Sequence, residues 1–104
     1  MRDSVGGLMD GAISAEDQQM VRSILDAHLE EGAQYHALRT RQAGAQRFIS
    51  FHMLVPGDWT VARGHRLIDH IETDLCHALP HVTVFSHLES LEDPASWDDP
   101  QLGR

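Results

Sequence analysis

Apolar residues recur at helical spacing in the first third of the chain. These positions, three or four residues apart, are Met20, Val21, Ile24, Leu25 and Leu29. Such a stripe is typical of one face of an amphipathic helix. Ser14, with the acidic Asp17 three residues later, has the order of a capped helix start. The pattern predicts a helix over 15–31 that ends at Gly32.

A second helical stripe lies further along the chain. Its apolar positions are Val61, Gly64, Leu67, Ile68, Ile71, Leu75, Ala78 and Leu79. Thr60 can cap its start, and Pro80 stops the helix because proline lacks the backbone N–H. The pattern predicts a helix over 61–79.

Three other segments alternate between two kinds of side chain, as strands do. They cover 35–41, 47–55 and 82–88, and a turn at 42–45 with Gly44 separates the first two. In the second strand the more apolar face is Ile49, Phe51, Met53 and Val55. Its other face is Phe48, Ser50, His52 and Leu54.

The order helix, strand, strand, helix, strand predicts the fold class. The first two strands form an antiparallel hairpin, and the crossover through the second helix makes the third strand parallel to the second. We therefore expect an α+β, ferredoxin-like two-layer sandwich, in which both helices cover one face of a three-stranded mixed sheet. We expect a linker over 1–14, a folded domain over 15–90 and an acidic, irregular tail over 91–104.

Composition and charge argue against several classes of partner and site. The chain has 104 residues and a formal charge of −8, with 16 acidic residues and no lysine. Its field repels phosphate, which argues against nucleic-acid and anionic-membrane partners. No apolar run approaches the roughly 20 residues of a membrane span. The single cysteine, Cys76, excludes an internal disulfide and a thiolate-cluster zinc site.

The eight histidines indicate metal chemistry. His87 and Glu89 are two residues apart, so they share a strand face about 7 Å apart, and His52 lies beside them in the next strand. Imidazole and carboxylate suit a borderline cation such as zinc. His36 could join from the sheet edge, and His65 lies near the start of the second helix. The alternative is that these histidines are simply solvated.

The same sheet face carries Phe48, Phe85 and Leu54, and such an apolar patch indicates an interface. We expect a second copy of the chain to cover it, in a two-fold dimer. The alternative is that the acidic tail folds back with Trp97.

Two further interpretations concern other residues. His70, Asp74 and His77 share a helix face that could bind another ion or be solvated. No nucleophile paired with a histidine is recognisable, which argues against an enzyme.

Several motifs together resemble the cation diffusion facilitator family of divalent-metal exporters. His36-Ala37-Leu38-Arg39-Thr40-Arg41, followed by Gly44, is similar to the motif that opens the family's cytoplasmic C-terminal domain. The strand 48–54 with His52, the pair Gly64-His65, and the strand 84–89 with His87 and Glu89 follow in the family's order. Residues 2–10 resemble the segment after the last membrane helix. Gly64 stands where the family usually has alanine.

The resemblance implies a function and a ligand set. It implies a regulatory cytosolic domain that binds divalent metal, with zinc as the expected ion, and forms a homodimer that metal tightens. The implied metal ligands are His36, His52, His65, His87 and Glu89. It also implies a cytoplasmic location beside the transmembrane domain of the same transporter. The alternative is a free-standing soluble metal buffer or chaperone of the same fold.

Overall fold

The computed structural model describes residues 12–29 and 32–96 and has the predicted order of elements. The elements are α1 (Ala15–His28), β1 (Gln34–Ala43), β2 (Gln46–Val55), α2 (Val61–Ala78), β3 (Val82–Ser90) and a short 3-10 helix (Pro94–Ser96). β2 pairs with β1 antiparallel and with β3 parallel. The sheet therefore has the order β1-β2-β3, which confirms the α+β, ferredoxin-like prediction.

Both helices begin at the predicted caps. The Ser14 hydroxyl accepts a hydrogen bond from the Asp17 amide at 3.0 Å, and the Thr60 hydroxyl accepts one from the Arg63 amide at 3.1 Å. Each contact satisfies a backbone donor that the first turn of a helix leaves open. α1 ends at His28, before the predicted end at 31, because Leu29 is extended and packs against the core.

The two helices and one face of the sheet enclose the core. Its buried side chains include Val21 and Leu25 of α1 and Leu67, Ile71 and Leu75 of α2. β2 contributes the four residues predicted for its inner face, Ile49, Phe51, Met53 and Val55. The helices therefore cover one face of the sheet, and the opposite face is left for other contacts.

Gly64 lets α2 approach β3 closely. A Cβ atom at this position would lie 2.5 Å from Cδ2 of Leu88, which is closer than two carbon atoms can pack. Gly64 itself is buried. The absence of a side chain therefore sets the distance between the second helix and the strand that carries His87 and Glu89.

Arg47 ties three elements together at one end of the sheet. Its Nε donates to the Asp17 carboxylate of α1 at 3.0 Å, and its Nη1 donates to the Pro80 carbonyl at 2.8 Å. Its backbone amide donates to the carbonyl of His81, a residue with φ of 55°. The start of β2 is thereby joined to α1 and to the turn before β3.

The predicted linker and tail fall largely outside the described residues. This applies to 1–11, which include the segment 2–10 that carries part of the resemblance, and to 97–104 with Trp97. Of the predicted irregular tail, the described part includes the 3-10 helix. The domain boundaries stay predictions. Among the described residues, no helix combines the length and the apolar character that a bilayer crossing needs.

Candidate metal centre

The parallel register of β2 and β3 brings three of the predicted site residues together. His52 pairs with His87, and Leu54 pairs with Glu89. The His52 and His87 rings stack with centroids 4.7 Å apart, and Nδ1 of His52 lies 2.6 Å from Oε2 of Glu89. The three side chains therefore share the sheet face away from the helices, as alternation along the strands predicts.

A bulge in β1 adds His36 to the same face. His36 pairs with His52, but the next aligned pair is Arg39 with Ser50, so β1 has one extra residue at this point. Ala37, inside the bulge, has φ of 56°, a left-handed conformation that costs an L-residue about 1–2 kcal/mol. The His36 and His52 rings meet edge to face with centroids 5.3 Å apart.

His36, His52 and Glu89 can each offer a ligand atom to one ion. The three atoms lie within 4.8 Å of one another, and in 12–29 and 32–96 this is the only group of three or more His, Cys, Asp or Glu side chains so arranged. His52 is buried, with 6% of its surface exposed, and the other two are half-buried. The group has the nitrogen and oxygen donors that zinc accepts.

The second carboxylate oxygen of Glu89 gives a test of whether a cation fits. Oε1 is buried and has no hydrogen-bond partner among the described residues. An unsatisfied buried acceptor costs about 1–3 kcal/mol. A bound divalent cation would provide the missing positive partner, so the residues present fit a metal ion at this point.

Two predicted ligands lie outside this group. His87 is exposed and reaches the group only through its stacked contact with His52. His65 is exposed on α2, as is Asp69 one turn later. Their roles as ligands stay predictions, because the described geometry does not bring either side chain into the three-residue group.

The strand that carries Glu89 is fixed at its end by a small polar network. The Glu92 carboxylate accepts hydrogen bonds from the Gly57 amide at 2.8 Å and from the Ser90 hydroxyl at 3.0 Å. The backbone bond from Gly57, followed by the bond from Ser90, holds the pKa of Glu92 below its usual value. The Leu91 amide donates to the Val55 carbonyl at 2.9 Å, so β2 and β3 stay aligned beyond Glu89.

The outer face of the sheet has a second region, beside the metal ligands. A groove there is lined mainly by Arg39, Arg41, Phe48, Ser50 and Phe85. Phe85 is 53% exposed, and the Arg41 guanidinium lies 5.1 Å from the centre of the half-buried Phe48 ring. The prediction that Leu54 belongs to an exposed patch was wrong, because Leu54 is fully buried.

Comparison with known proteins assigns the chain to a family. The family model described as the cytoplasmic domain of cation efflux proteins matches residues 13–91. An uncharacterized transporter of Synechocystis is 45% identical over 100 residues, which are 96% of this chain and 32% of the relative. The cation-efflux pump FieF of Klebsiella pneumoniae is 32% identical over 95 residues, which are 90% of this chain and 30% of the pump. The chain thus spans about a third of the length of these relatives.

Solved structures agree with this assignment. The Zn form of CzrB, described as a candidate zinc transporter, is 34% identical, with a TM-score of 0.69 over 82% of this chain and 97% of that one. The metal-bound C-terminal domain of the CzcD transporter from Thermotoga maritima has the same fold, with a TM-score of 0.61 at 22% identity over 78% of this chain and 99% of that one. The family match covers most of the residues that the structure describes, so the chain belongs to the family of cytoplasmic domains of cation efflux proteins.

Proposed function

We propose that this domain binds a divalent metal ion, zinc by preference, at His36, His52 and Glu89, and thereby regulates a cation exporter. The observation that carries the proposal is the convergence of three ligand atoms within 4.8 Å, one of them from a carboxylate with a buried, unsatisfied oxygen. The Zn form of CzrB supports the choice of metal by similarity. The role is that of a binding domain within a transporter, not of an enzyme.

The donor set favours zinc over a hard cation such as magnesium. Two imidazole nitrogens and a carboxylate oxygen are ligands of intermediate softness, whereas magnesium and calcium prefer all-oxygen sites. Zinc is commonly four-coordinate, so three protein ligands leave one position open. We propose His87 for that position or for an adjacent ion, since its ring already stacks on His52. His65 is a further ligand in this proposal, supplied from α2.

We further propose that two copies of the domain associate through the groove on the outer sheet face. Aromatic and arginine side chains are enriched in protein interfaces, and this groove combines both types. Fully burying a phenylalanine contributes about 1.5–3 kcal/mol, and the half-exposed Phe85 can gain a part of that on each chain. Each chain carries a charge of −8, so the copies repel one another until salt or bound cations reduce the repulsion.

Metal regulates such a dimer only through a difference in affinity. A ligand shifts an equilibrium toward the form that it binds more tightly. The metal centre and the groove share one sheet face, so bound metal acts beside the contact surface. In this proposal metal favours a tighter dimer, and the tighter dimer changes the activity of the transporter to which the domain belongs.

Zinc titration of matched variants tests the metal proposal. Glu89→Gln keeps the shape of the side chain but removes its charge, and we expect zinc affinity at this site to fall at least about tenfold, or about 1.4 kcal/mol. His77→Ala removes an exposed histidine of α2 and serves as the control. Calorimetry gives the affinity, and circular dichroism checks folding. Equal zinc affinity in the two variants would exclude Glu89 as a ligand.

Sedimentation velocity, with and without zinc, tests the dimer, since it reports both its mass and its compactness. Wild type should be dimeric at moderate salt, and the dimer should become more compact with zinc. Phe85→Asp places a charge in the groove and should give monomers. Met20→Asp is the matched control, because Met20 is 45% exposed on α1 in the opposite layer. A Phe85→Asp variant that dimerises as well as Met20→Asp would refute this interface.

A further inference from the structure

Three side chains of types that bind metal lie near one another on the two helices. His28, in the last turn of α1, places Nε2 at 2.5 Å from Oδ2 of Asp74 in α2. Its ring centroid lies 6.5 Å from that of His70, also in α2. Two imidazoles and a carboxylate from different helices therefore meet on the layer opposite to the sheet site.

The spacing on α2 suits chelation. His70 and Asp74 are four residues apart, so they are neighbours on one helix face with Cβ atoms about 5–6 Å apart. The same spacing lets two histidines of one helix hold a zinc ion in the H-E-x-x-H motif. His28 supplies a third donor from the other helix. We propose that His28, His70 and Asp74 form a second divalent-metal site, in which the bound ion links α1 to α2.

Side-chain rotation is needed to complete this site, because its three ligand atoms are not already grouped as those of the sheet site are. His70 and Asp74 are exposed, so both can rotate without displacing core residues. An ion would enter between the His28 nitrogen and the Asp74 oxygen that now face each other. Zinc binds nitrogen at about 2.0–2.1 Å and oxygen at about 2.0–2.2 Å, so the two atoms must separate as the ion enters.

Charge favours a cation at this position. The C-terminal end of a helix carries a partial negative charge, and His28 is in the last turn of α1. Asp74 adds a full negative charge, and the chain as a whole is strongly acidic. The Asp74 side chain is 52% exposed, so water can complete the coordination. We therefore expect weaker and more readily reversible binding here than at the sheet site, where His52 is buried.

The site is independent of the sheet site, so the two are tested separately with zinc alone as the probe. In the Glu89→Gln background, zinc should shift the imidazole NMR signals of His28 and His70 in a saturable way. Adding Asp74→Asn should abolish the saturable shift or weaken the apparent affinity at least about tenfold. His70→Ala should have a comparable effect, whereas His81→Asn, which removes an exposed histidine outside the two helices, should not.

Two results would overturn the inference. The first is that zinc leaves the His28 and His70 signals of the Glu89→Gln variant unmoved, or moves them without saturation. The second is that Asp74→Asn or His70→Ala binds zinc as well as His81→Asn does. Asp74 and His70 are exposed, and urea unfolding in the absence of zinc confirms that each variant, including Glu89→Gln, is folded. The effect of Glu89→Gln on zinc affinity at the sheet site is measured separately by calorimetry, so either proposal can fail without the other.

Discussion

Replacement of Gly64 by alanine tests the close contact between α2 and β3. The new Cβ atom would meet Leu88 at 2.5 Å from Cδ2, 3.1 Å from Cδ1 and 3.3 Å from Cγ. Since three atoms of one side chain are involved, a small rotation of Leu88 cannot relieve every contact. Either Leu88 changes rotamer or β3 moves away from the helix.

Two opposing effects set the magnitude of the change. Alanine is favoured over glycine inside a helix by about 1 kcal/mol. Overpacking a core typically costs about 1–3 kcal/mol. We therefore expect Gly64→Ala to lower the free energy of unfolding by about 0–2 kcal/mol. Leu88→Val shortens the opposing side chain and should cost about 0.5–1.5 kcal/mol alone, by analogy with other single-methylene deletions.

The double variant separates the two effects. In Gly64→Ala/Leu88→Val the new methyl group occupies space that the shorter side chain leaves. The double variant should therefore be more stable than the sum of the single changes by at least about 1 kcal/mol. Urea unfolding of all four proteins measures this coupling, and Ala62→Gly, at an exposed site in the same helix, calibrates the propensity contribution. A coupling near zero, with Gly64→Ala stabilising by the full propensity gain, would refute the contact.

Three further predictions concern ionisable groups. Zinc affinity at the histidine sites should fall as the pH is lowered from about 7 to 5.5, because imidazole must be neutral to bind metal. A competition assay with a chromophoric chelator that gave a flat profile would argue against histidine ligands. Burial, and then the charge of Asp26, raise the pKa of Tyr35 above 10.0. The folded chain therefore holds the phenol proton more tightly than the unfolded chain does, and the free energy of unfolding falls as pH rises through that region. The chain has one tyrosine and no lysine, so Tyr35→Phe should flatten this decline in urea unfolding between pH 9 and 11; an unchanged decline would exclude Tyr35 as its source. Arg47→Gln should lower the free energy of unfolding by about 1–3 kcal/mol, because it breaks the hydrogen bonds to Asp17 and to the Pro80 carbonyl. The control Arg66→Gln, at an exposed position, should lower it far less. An equal loss for both variants in urea unfolding would contradict the role of Arg47.

The fold was largely predictable because local patterns agree with the packing. Ser14 and Thr60 are caps in both the sequence pattern and the structure, and the inner face of β2 follows strict alternation. The same alternation places His52 beside His87 and Glu89. These features depend on residues close in sequence or on simple strand pairing, and both leave a periodic signal.

The features that could not be predicted depend on tertiary contacts, which leave no periodic pattern in the sequence. Nothing in the local sequence of His28 indicates that Asp74 lies 2.5 Å away across the helix pair. The same holds for Leu54, which alternation assigns to the outer face but which is fully buried there. Burial of one face of a strand depends on what covers it, and that information lies elsewhere in the chain.

The extra residue in β1 has a consequence for reading related sequences. His36 has an even number, whereas Arg39 and Arg41 have odd numbers, yet the bulge lets all three face away from the helices. Tyr35 and Leu38 correspondingly both pack against the core, although they are three positions apart. Deletion of one residue at 37 or 38 would remove the bulge and restore simple alternation, with His36 and both arginines still on the outer face. A strand of the present length without the bulge would instead turn either His36 or the arginines toward the core. A relative that retains the histidine and has a one-residue gap here should therefore keep this ligand on the outer face, so the gap by itself does not indicate loss of the site.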